Sequence, residues 1–429
     1  MTTVHALEQS LLETIVARDN LQRAWKRVKA NKGAAGVDAI AVADFPAWAQ
    51  QHWPTIKAQL MSGDYQPEAV RRVWIPKPNG DKRPLGIPTI ADRVIQQAIA
   101  QQLAPHFERE FSHNSYGFRP GRNAHQAIRQ VRDYIRAKYR MVVDIDLAAF
   151  FDNVNHDVLM RLLSQRIRDK RVLQLIGRYL RTGVIENEQW QATPKGVPQG
   201  GPLSPLLANV VLHELDVYLH QCGHRFARYA DDFVICVRSL RAAQRVQANV
   251  TRFLEQRLKL HVNLNKSRIC TSNELEFLGF CFRGNKIVWS DKALHRFKHR
   301  IKQLTGRSWG VSLAYRYREL RRYIVGWMNC FALSEYYRPV PELDEWLRRR
   351  MRCCYWKQWR WPRTKISHLV SLGVSLKEAI KTGVSSKGPY AMSRTPITQM
   401  AMNNEWLKAQ GLVSIKDQWV RFHYPVSTA

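Results

Sequence analysis

Apolar residues recur at helical spacing in three long parts of this chain. Residues 6–30 and 92–110 carry apolar side chains every three or four positions, which is the period of an amphipathic helix. Residues 196–221 begin as a loop rich in Gly and Pro and continue with the same period. The pattern therefore predicts three helical regions, the first of which ends at the Gly-containing stretch that follows residue 30.

Shorter runs of β-branched and aromatic residues lie between these regions and predict strands. Residues 69–89 form two such runs around an Asn-Gly-Asp sequence that is typical of a hairpin turn. Residues 139–151 contain one buried strand, whereas residues 226–237 and 274–290 each contain a pair of strands. Helices that alternate with mostly antiparallel strands indicate an α+β fold, and after about residue 290 the pattern predicts helices alone.

The charge of the chain indicates what it binds. Lys and Arg number 67 against 35 Asp and Glu, a net charge of +32, whereas solubility of a small domain needs only about 2–8 charges. Residues 291–360 hold 17 basic and 6 acidic residues, interleaved with tryptophans of which some are expected in a helical core. Cations neutralise phosphates and aromatic rings stack on bases, so we expect a nucleic acid as the partner.

The composition disfavours several other classes of protein. No run of about 18 apolar residues predicts a membrane span. The first twenty residues lack the apolar centre of a signal peptide, and we expect a bacterial-type cytosolic location. The seven cysteines include no C-x-x-C pair, so neither a disulfide framework nor a structural zinc site is predicted.

Two adjacent aspartates, Asp231 and Asp232, lie at the predicted turn of the 226–237 hairpin. Two like charges side by side repel one another, and a bridging divalent cation removes that repulsion. Mg²⁺ prefers carboxylate oxygens together with substrate phosphates, and a third carboxylate on a neighbouring strand would complete a two-metal site for phosphoryl transfer. Asp144 and Asp146 are two residues apart on the strand of residues 139–151, so both face one side and either could supply that carboxylate.

Groups suited to phosphate accompany these carboxylates. Lys77, Lys82 and Arg83 lie on the predicted hairpin of residues 69–89, where Lys offers a point charge and Arg a planar fork for phosphate oxygens. The small residues of the 198–202 loop allow the backbone to approach a substrate closely. Together these features predict a site for a nucleoside triphosphate.

Seven segments, in order along the chain, resemble the reverse transcriptase blocks of the group II intron-encoded family. They are IPKPNGDKRPLGIP at 75–88, SYGFRPGRNAHQAI at 115–128, DLAAFFD at 146–152, GVPQGGPLSPLLAN at 196–209, YADD at 229–232, NLNKSR at 263–268 and FLGF at 277–280. Two later segments, YRELRRYIVGWMNCFA at 317–332 and SSKGPYAMSRTP at 385–396, resemble the maturase or thumb domain of that family.

The resemblance implies a right-hand polymerase followed by a helical domain. We expect fingers and palm with an antiparallel sheet over residues 1–290, a helical thumb or maturase (X) domain over 291–380, and a maturase C-terminal segment over 381–429. The last segment is a candidate for a short DNA-binding tail. Some members of the family continue into an HNH nuclease with paired cysteines, which we do not expect here.

The resemblance also implies the role of individual residues. Asp146, Asp231 and Asp232 match the catalytic carboxylates that bind two Mg²⁺ ions, while the role of Asp144 stays open. Phe151 matches the steric gate that rejects a ribose 2′-hydroxyl. The residues implied in nucleotide binding are Lys77, Arg83, Phe151, Gln199 and Lys266, and those we expect to contact RNA are Arg348, Arg349 and Arg350. Simpler structural roles are a helix cap for Asp152 and a surface position for Lys266.

These matches indicate an RNA-directed DNA polymerase that binds its group II intron RNA, assists its splicing and supports intron mobility by reverse transcription. The expected partners are the intron RNA, an RNA template with a DNA or RNA primer, dNTPs and target DNA. One alternative is a related reverse transcriptase that serves defence or repair without an intron. Another is an RNA-binding splicing cofactor with an inactive polymerase, against which Asp146, Asp231 and Asp232 argue.

Overall fold

The computed structural model of the chain describes residues 10–76 and 80–425 and separates into two compact units between Ser272 and Asn273. This division comes before the boundary that was predicted near residue 290, because the strands between the two positions pack with the helical unit. The division of the helical part at residue 380 stays a prediction. Among the described residues, no helix combines the length and the apolar composition that a bilayer crossing requires.

The first unit combines helices with two sheets in its described part. Its helices are α1 (Leu11–Ile15), α2 (Arg18–Ala30), α3 (Phe45–Ser62), α4 (Ile90–Glu108), α5 (Ala124–Arg136), α6 (Phe150–Asn153), α7 (His156–Ser164), α8 (Lys170–Arg181), α9 (Ser204–Gln221) and α10 (Leu240–Arg257). Its strands are β1 (Val70–Pro76), β2 (Lys82–Ile87), β3 (Met141–Ile145), β4 (Val184–Glu186), β5 (Gln189–Gln191), β6 (Arg225–Tyr229), β7 (Asp232–Val237) and β8 (Arg268–Thr271).

The predicted hairpin of residues 69–89 is confirmed as the antiparallel pair β1 and β2, in which Ile75 lies opposite Arg83. These strands continue through β4 to β5, in the order β2-β1-β4-β5. The second predicted helix begins at Ile90, where the Thr89 side chain accepts a hydrogen bond from the backbone N–H of Asp92. Residues 77–79 of the hairpin turn lie outside the described residues.

The second sheet has the order β6-β7-β3-β8, with β3 antiparallel to both of its neighbours. Ile145 lies opposite Phe233 in the antiparallel pair of β3 and β7. Asp146, which follows Ile145, therefore lies beside Asp232, which precedes Phe233, at one end of the sheet. Val142, Val143 and Ile145 are buried, as expected for an apolar central strand. Helices α4 and α9 carry apolar residues around most of their circumference because the core encloses them.

The second unit begins with strands β9 (Glu276–Phe277), β10 (Phe280–Arg283) and β11 (Lys286–Trp289), which form an antiparallel sheet in the order β11-β10-β9. The predicted change to helices alone is confirmed for the described residues after Trp289. The helices are α11 (Asp291–Leu304), α12 (Leu313–Phe331), α13 (Pro339–Gln358), α14 (Pro362–Ser371), α15 (Leu376–Gly383), α16 (Pro389–Met392), α17 (Pro396–Ala401), α18 (Asn404–Ala409) and α19 (Ile415–His423).

A carboxylate on α13 holds the last helix of this unit in place. Asp344 accepts hydrogen bonds from the Ser414 hydroxyl at 2.6 Å and from the backbone N–H groups of Ile415 at 2.7 Å and Lys416 at 3.2 Å. An anion at a helix N-terminus satisfies backbone donors that have no partner within the helix. Trp419 of α19 is buried and donates to the Ser334 carbonyl oxygen at 2.8 Å. The C-terminal segment is therefore packed against the rest of the second unit.

Replacement of Asp344 by alanine should loosen this attachment. The three donors lose a charged acceptor, so we expect the free energy of unfolding to fall by about 2 kcal/mol and protease cleavage to increase between α18 and α19. Glu342→Ala on the same helix is the matched control, because its pair with Arg338 spans 3.8 Å between exposed side chains and contributes less than about 1 kcal/mol. Equal urea midpoints for the two variants would contradict this role of Asp344.

Candidate active site

The turn between β6 and β7 presents two carboxylates at the edge of the sheet. Tyr229 pairs with Asp232, so Ala230 and Asp231 form the connection. Ala230 has a φ of +58°, a left-handed conformation that costs a residue with a Cβ some strain. The predicted tight turn at the aspartates is confirmed, and contacts from outside the hairpin hold it in this conformation.

The first of these contacts comes from residues 115–118, which run beside β6. Tyr116 donates its backbone N–H to the Arg228 carbonyl oxygen at 2.8 Å, and the Arg228 N–H bonds to the Asn114 carbonyl oxygen at 2.9 Å. A Cβ on Gly117 would lie 2.2 Å from the backbone nitrogen of Ala230. Only glycine therefore allows this segment to pack against the turn.

The second contact is a buried ion pair between Arg228 and Asp216 of α9. The two side chains are fully buried and form two parallel hydrogen bonds, Nε to Oδ1 at 2.7 Å and Nη2 to Oδ2 at 2.5 Å. Arg228 Nη1 also donates to the Ala230 carbonyl oxygen and to Asn209 Oδ1, each at 3.0 Å. Asn209 in turn donates to the Gly117 carbonyl oxygen at 2.9 Å. One network therefore connects α9, β6, the turn and the segment that covers it.

The third carboxylate, Asp146, is held through its backbone by residues 263–268. Asp146 N–H donates to Ser267 Oγ at 3.0 Å, and its carbonyl oxygen accepts from the Asn263 N–H at 2.8 Å. Ser267 lies 121 residues away in the sequence. Both bonds are made by the backbone of Asp146 and neither uses its carboxylate oxygens. They fix the position of its Cα from both sides.

The strand register brings Asp146 beside Asp232, and the pKa values of the carboxylates reflect this proximity. Burial, and after it the neighbouring carboxylates of Asp231, Asp144 and Asp146, raise the pKa of Asp232 from 3.8 to about 6. Burial also raises the pKa of Asp231, Asp146 adds to that rise, and the Arg83 guanidinium opposes it. The site therefore concentrates negative charge in a partly desolvated place, where a cation is favoured.

The donor chemistry of these residues fits Mg²⁺. Among residues 10–76 and 80–425, no three or more His, Cys, Asp and Glu side chains are gathered closely enough to hold a metal ion by themselves. Mg²⁺ is usually bound by one or two carboxylates together with substrate phosphates, and does not require a complete protein cage. The position of Asp146 beside Asp232 in the paired strands, with Asp231 at the turn, agrees with such a partial set of ligands.

A cavity of about 380 Å³ is lined by Asp152 and by two of the predicted nucleotide-binding residues, Phe151 and Gln199. Arg72 and Trp74 of β1 and Gly86 of β2 line its other side. The Gly86 N–H donates to the Gln199 carbonyl oxygen at 2.6 Å, which joins the 198–202 loop to the fingers strands. The size lies within the range of about 300–1,000 Å³ that small ligands occupy.

Within this cavity the structure distinguishes the two phenylalanines that follow Asp146. Ala149 precedes α6 in a left-handed conformation, Phe150 is buried in the core, and Phe151 is half-buried and lines the cavity. Their rings meet edge to face at 5.2 Å. Phe150 therefore packs against the ring that lines the cavity.

The remaining residues predicted for this site have different surroundings. Lys77 lies outside the described residues. Lys266 is exposed in the turn that holds Asp146, and its nucleotide-binding role stays a prediction. Asp144 faces Arg268 across β3 and β8 at 3.4 Å. Asp152 is not the cap of α6, because Ala149 occupies that position, and Asp152 Oδ1 lies 3.5 Å from Gln199 Nε2.

The three arginines predicted to contact RNA also bond within the second unit. Arg348 pairs with Asp344 at 3.7 Å, and the Arg349 guanidinium lies 3.6 Å from the centre of the Tyr390 ring. Arg350 donates to the Thr305 hydroxyl and to the Lys302 carbonyl oxygen at the end of α11. These contacts give each arginine a structural role, and RNA binding by the three stays a prediction.

The residues that hold the site together were not predicted from the sequence. Arg228, Asp216, Asn209 and Ser267 do not face the cavity, and periodicity does not distinguish them from surface residues. A signal existed, since Arg228 stands in an apolar strand and Asp216 within an apolar stretch of α9. Charged residues are rarely fully buried without a partner.

Comparisons with known proteins agree with this geometry. The family described as "Reverse transcriptase (RNA-dependent DNA polymerase)" matches residues 75–282, and the "Group II intron, maturase-specific domain" matches residues 294–372. Most of the reverse transcriptase match therefore lies in the first unit, and the maturase-specific match lies in the helical part of the second. The predicted α+β polymerase fold followed by a helical domain is confirmed.

The chain belongs to the group II intron-encoded reverse transcriptase and maturase family. Protein YkfC of Escherichia coli is 35% identical over 320 residues, which cover 65% of this chain and 83% of YkfC. Group II intron-encoded protein LtrA of Lactococcus lactis is 39% identical over 207 residues, 48% of this chain, and the match spans only 34% of LtrA. A chain of the partial Cas6-RT-Cas1–Cas2 complex, 25% identical, aligns over 57% of this chain and 42% of its own length with a TM-score of 0.38.

The buried ion pair allows a test of how the turn is held. Arg228→Met or Asp216→Leu alone leaves an unpaired buried charge, and each should lower the free energy of unfolding by about 3–5 kcal/mol. The double variant removes both charges, so we expect urea unfolding to show recovery of most of that loss. Primer extension should stay low in the double variant, because the Ala230 carbonyl oxygen still lacks its donor.

If activity returns together with stability in the double variant, the ion pair of Arg228 and Asp216 has only a structural role. Recovery of stability without recovery of activity shows that Arg228 positions the turn. The comparison is meaningful only at a temperature where each variant is folded, which circular dichroism establishes.

Proposed function

We propose that this protein is a Mg²⁺-dependent RNA-directed DNA polymerase that binds a group II intron RNA, assists its splicing and supports its mobility by reverse transcription. The observation that carries the polymerase proposal is the pairing of β3 with β7, which brings Asp146 beside Asp232 and the turn residue Asp231. Phe151, which follows Asp146 by five residues, lines a cavity of nucleotide size together with Gln199. Carboxylates and a nucleotide-sized cavity are the two parts that nucleotidyl transfer requires.

Asp146, Asp231 and Asp232 would hold two Mg²⁺ ions, which supply activation of the primer 3′-hydroxyl and charge stabilisation of the leaving pyrophosphate. The Arg83 guanidinium on β2 lowers the pKa of Asp231 and Asp232 against the effect of burial, and it would bind triphosphate oxygens held at these carboxylates. Lys77 and Lys266 would add positive charge to the same phosphates. Phe151 would lie below the sugar, and Gln199 would lie between the incoming nucleotide and the template.

The second unit supports the proposed role with intron RNA. Helix α11 exposes the basic side chains of Lys292, Arg296, Lys298, Arg300 and Lys302. Such a face neutralises phosphates without reading a base sequence. Splicing of the intron is a reaction of the RNA itself in this family, so the protein would act by stabilising the folded RNA. Target DNA would be bound in the mobility reaction.

The polymerase proposal is tested by Asp231→Asn. The variant should lose Mg²⁺-dependent extension of a DNA primer on an RNA template and keep its RNA affinity, which comes from distant cations. It should also melt at a higher temperature in metal-free buffer at pH 7.5. The folded-state pKa of Asp231 is raised above 3.8, so ionisation destabilises the fold, and this difference should shrink as the pH falls towards 3.8.

Asp157→Asn is the matched control, since Asp157 is an exposed residue of α7. It should leave extension, RNA affinity and melting unchanged. Extension by Asp231→Asn at the wild-type rate would contradict the site assignment, and no extension by the wild-type protein would contradict the polymerase proposal.

Sugar selection is tested by Phe151→Val. The smaller side chain leaves room for a 2′-hydroxyl, so incorporation of ribonucleotides relative to deoxyribonucleotides should rise at least tenfold, while total extension slows. The measurement is single-nucleotide incorporation of dNTP and rNTP on one primer-template. Phe150→Ala is the control, because truncation of this buried ring should cost about 3–5 kcal/mol of stability and lower both incorporations together. A stable Phe151→Val protein with an unchanged ratio would show that this ring is not the gate.

A further inference from the structure

Helices α2, α3 and α4 line a groove that the proposed function does not use. Its volume is about 480 Å³, within the range of about 300–1,000 Å³ that small ligands occupy. It shares no lining residue with the cavity of Phe151 and Gln199. The apolar part of its lining includes Val16, Leu21, Trp25, Phe45, Trp53 and Val94. The first unit therefore has a second concave site, which is mostly apolar.

Three aromatic rings make this groove suited to a ligand with a flat ring system. Trp25 of α2 and Phe45 of α3 are in contact, with ring centroids 4.9 Å apart and ring planes inclined at 39°. Phe45 is buried, whereas Trp25 and Trp53 are half-buried and keep part of their indole rings exposed. Aromatic pairs in offset or edge-to-face contact gain more than the burial of their area supplies. An aromatic ligand would cover the exposed parts of both indoles.

The charged side chains of the groove indicate that the ligand is an anion. Arg18, the first residue of α2, and Lys57 of α3 line the groove, and both are exposed. Among the described residues that line it, none is acidic. Two cations without a carboxylate are complementary to one anionic group, and a carboxylate matches the planar fork of an arginine.

The same lining disfavours a nucleotide, although nucleotides are also aromatic anions. A nucleobase carries several hydrogen-bond donors and acceptors on its edges, and Gln22 supplies the one side-chain amide among the described lining residues. Val16, Leu21 and Val94 offer these edges no partner. Polar groups that are buried without a partner cost free energy, so the ring system that fits this groove is apolar.

We infer that the groove binds a small carboxylate that carries an apolar aromatic ring system. Its rings lie against Trp25, Phe45 and Trp53, and its carboxylate lies at Arg18 and Lys57. The inference does not depend on the proposed polymerase function, because no residue of the candidate active site takes part. The ligand contacts α2, α3 and α4 at once and binds only the folded chain, so it stabilises the protein by mass action.

The test uses the full chain with two probes that share one ring system, the anion 1-pyrenebutyrate and the uncharged 1-pyrenebutanol. Titration calorimetry is carried out at physiological salt, which screens unspecific attraction to so basic a protein. The wild type should bind one molecule of pyrenebutyrate, and its melting temperature should rise with the concentration of this probe. Pyrenebutanol should bind about five- to tenfold more weakly, because it lacks two exposed charge interactions.

Removal of the two cations tests the role of charge. Arg18→Gln/Lys57→Gln should weaken pyrenebutyrate binding about five- to tenfold and leave pyrenebutanol binding within about twofold. Lys26→Gln/Lys29→Gln is the matched control, because these exposed lysines of α2 do not line the groove and the net charge changes equally. Equal weakening of pyrenebutyrate by both double variants overturns the inference, since the probe then responds only to overall charge.

Filling the groove tests its location. Ala49 of α3 lines the groove and is half-buried, so Ala49→Trp should abolish binding of both probes and the rise in melting temperature. Ala47→Trp is the matched control, because Ala47 is an exposed residue of the same helix outside the groove, and it should bind as the wild type does. Wild-type affinity of a folded Ala49→Trp protein overturns the inference. If circular dichroism shows that this variant does not fold, the two charge variants decide.

The class of ligand is tested by competition and by the uncharged probe. Adenosine monophosphate should not displace pyrenebutyrate, and displacement at equal concentration would assign the groove to a nucleotide and overturn the inference. Equal affinity of the wild type for the two probes also overturns it, because the carboxylate is then not recognised. Absence of saturable pyrenebutyrate binding to the folded wild type overturns the site altogether. None of these outcomes depends on whether the protein extends a primer.

Discussion

The fully buried pair of Arg228 and Asp216 is the interaction on which the candidate active site depends. Removing two charges from water is costly, and a buried pair is stable only when its hydrogen bonds are satisfied. Here the guanidinium bonds to Asp216, Asn209 and the Ala230 carbonyl oxygen at once. The geometry of helix α9 and of the turn that carries Asp231 and Asp232 is therefore coupled, and neither can shift without leaving a charge unpaired.

Left-handed backbone also occurs in the segments that build the candidate site. Ala230 and Ala149 each adopt this conformation, the first at the turn of Asp231 and the second directly before the helix of Phe151. Each is held by close packing or by buried bonds from a distant segment, such as Gly117 against Ala230. Fixed geometry of this kind favours catalysis, because groups that are already in place need no reorganisation during reaction.

The large positive charge serves two purposes. Arg119, Arg228, Arg316 and Arg350 bond to carbonyl oxygens or carboxylates of their own unit, so part of the basic excess stabilises the fold. The exposed basic side chains of α11 belong to the remainder. Net charge alone therefore indicates the class of partner, while the structure decides which cations are available to it.

The sequence by itself determined the elements and the chemistry, because both are local. Apolar period and turn residues are encoded within a few positions, and they predicted the hairpins and the main helices. The resemblance of short segments to a known family implied the roles of Asp146, Asp231 and Asp232. Tertiary structure decided which phenylalanine faces the cavity, how Arg350 is used and what holds the turn. Ser267 reaches Asp146 from 121 residues away and Asn209 reaches Gly117 from 92. Contacts over such separations arise from packing of the whole domain, and no local pattern encodes them.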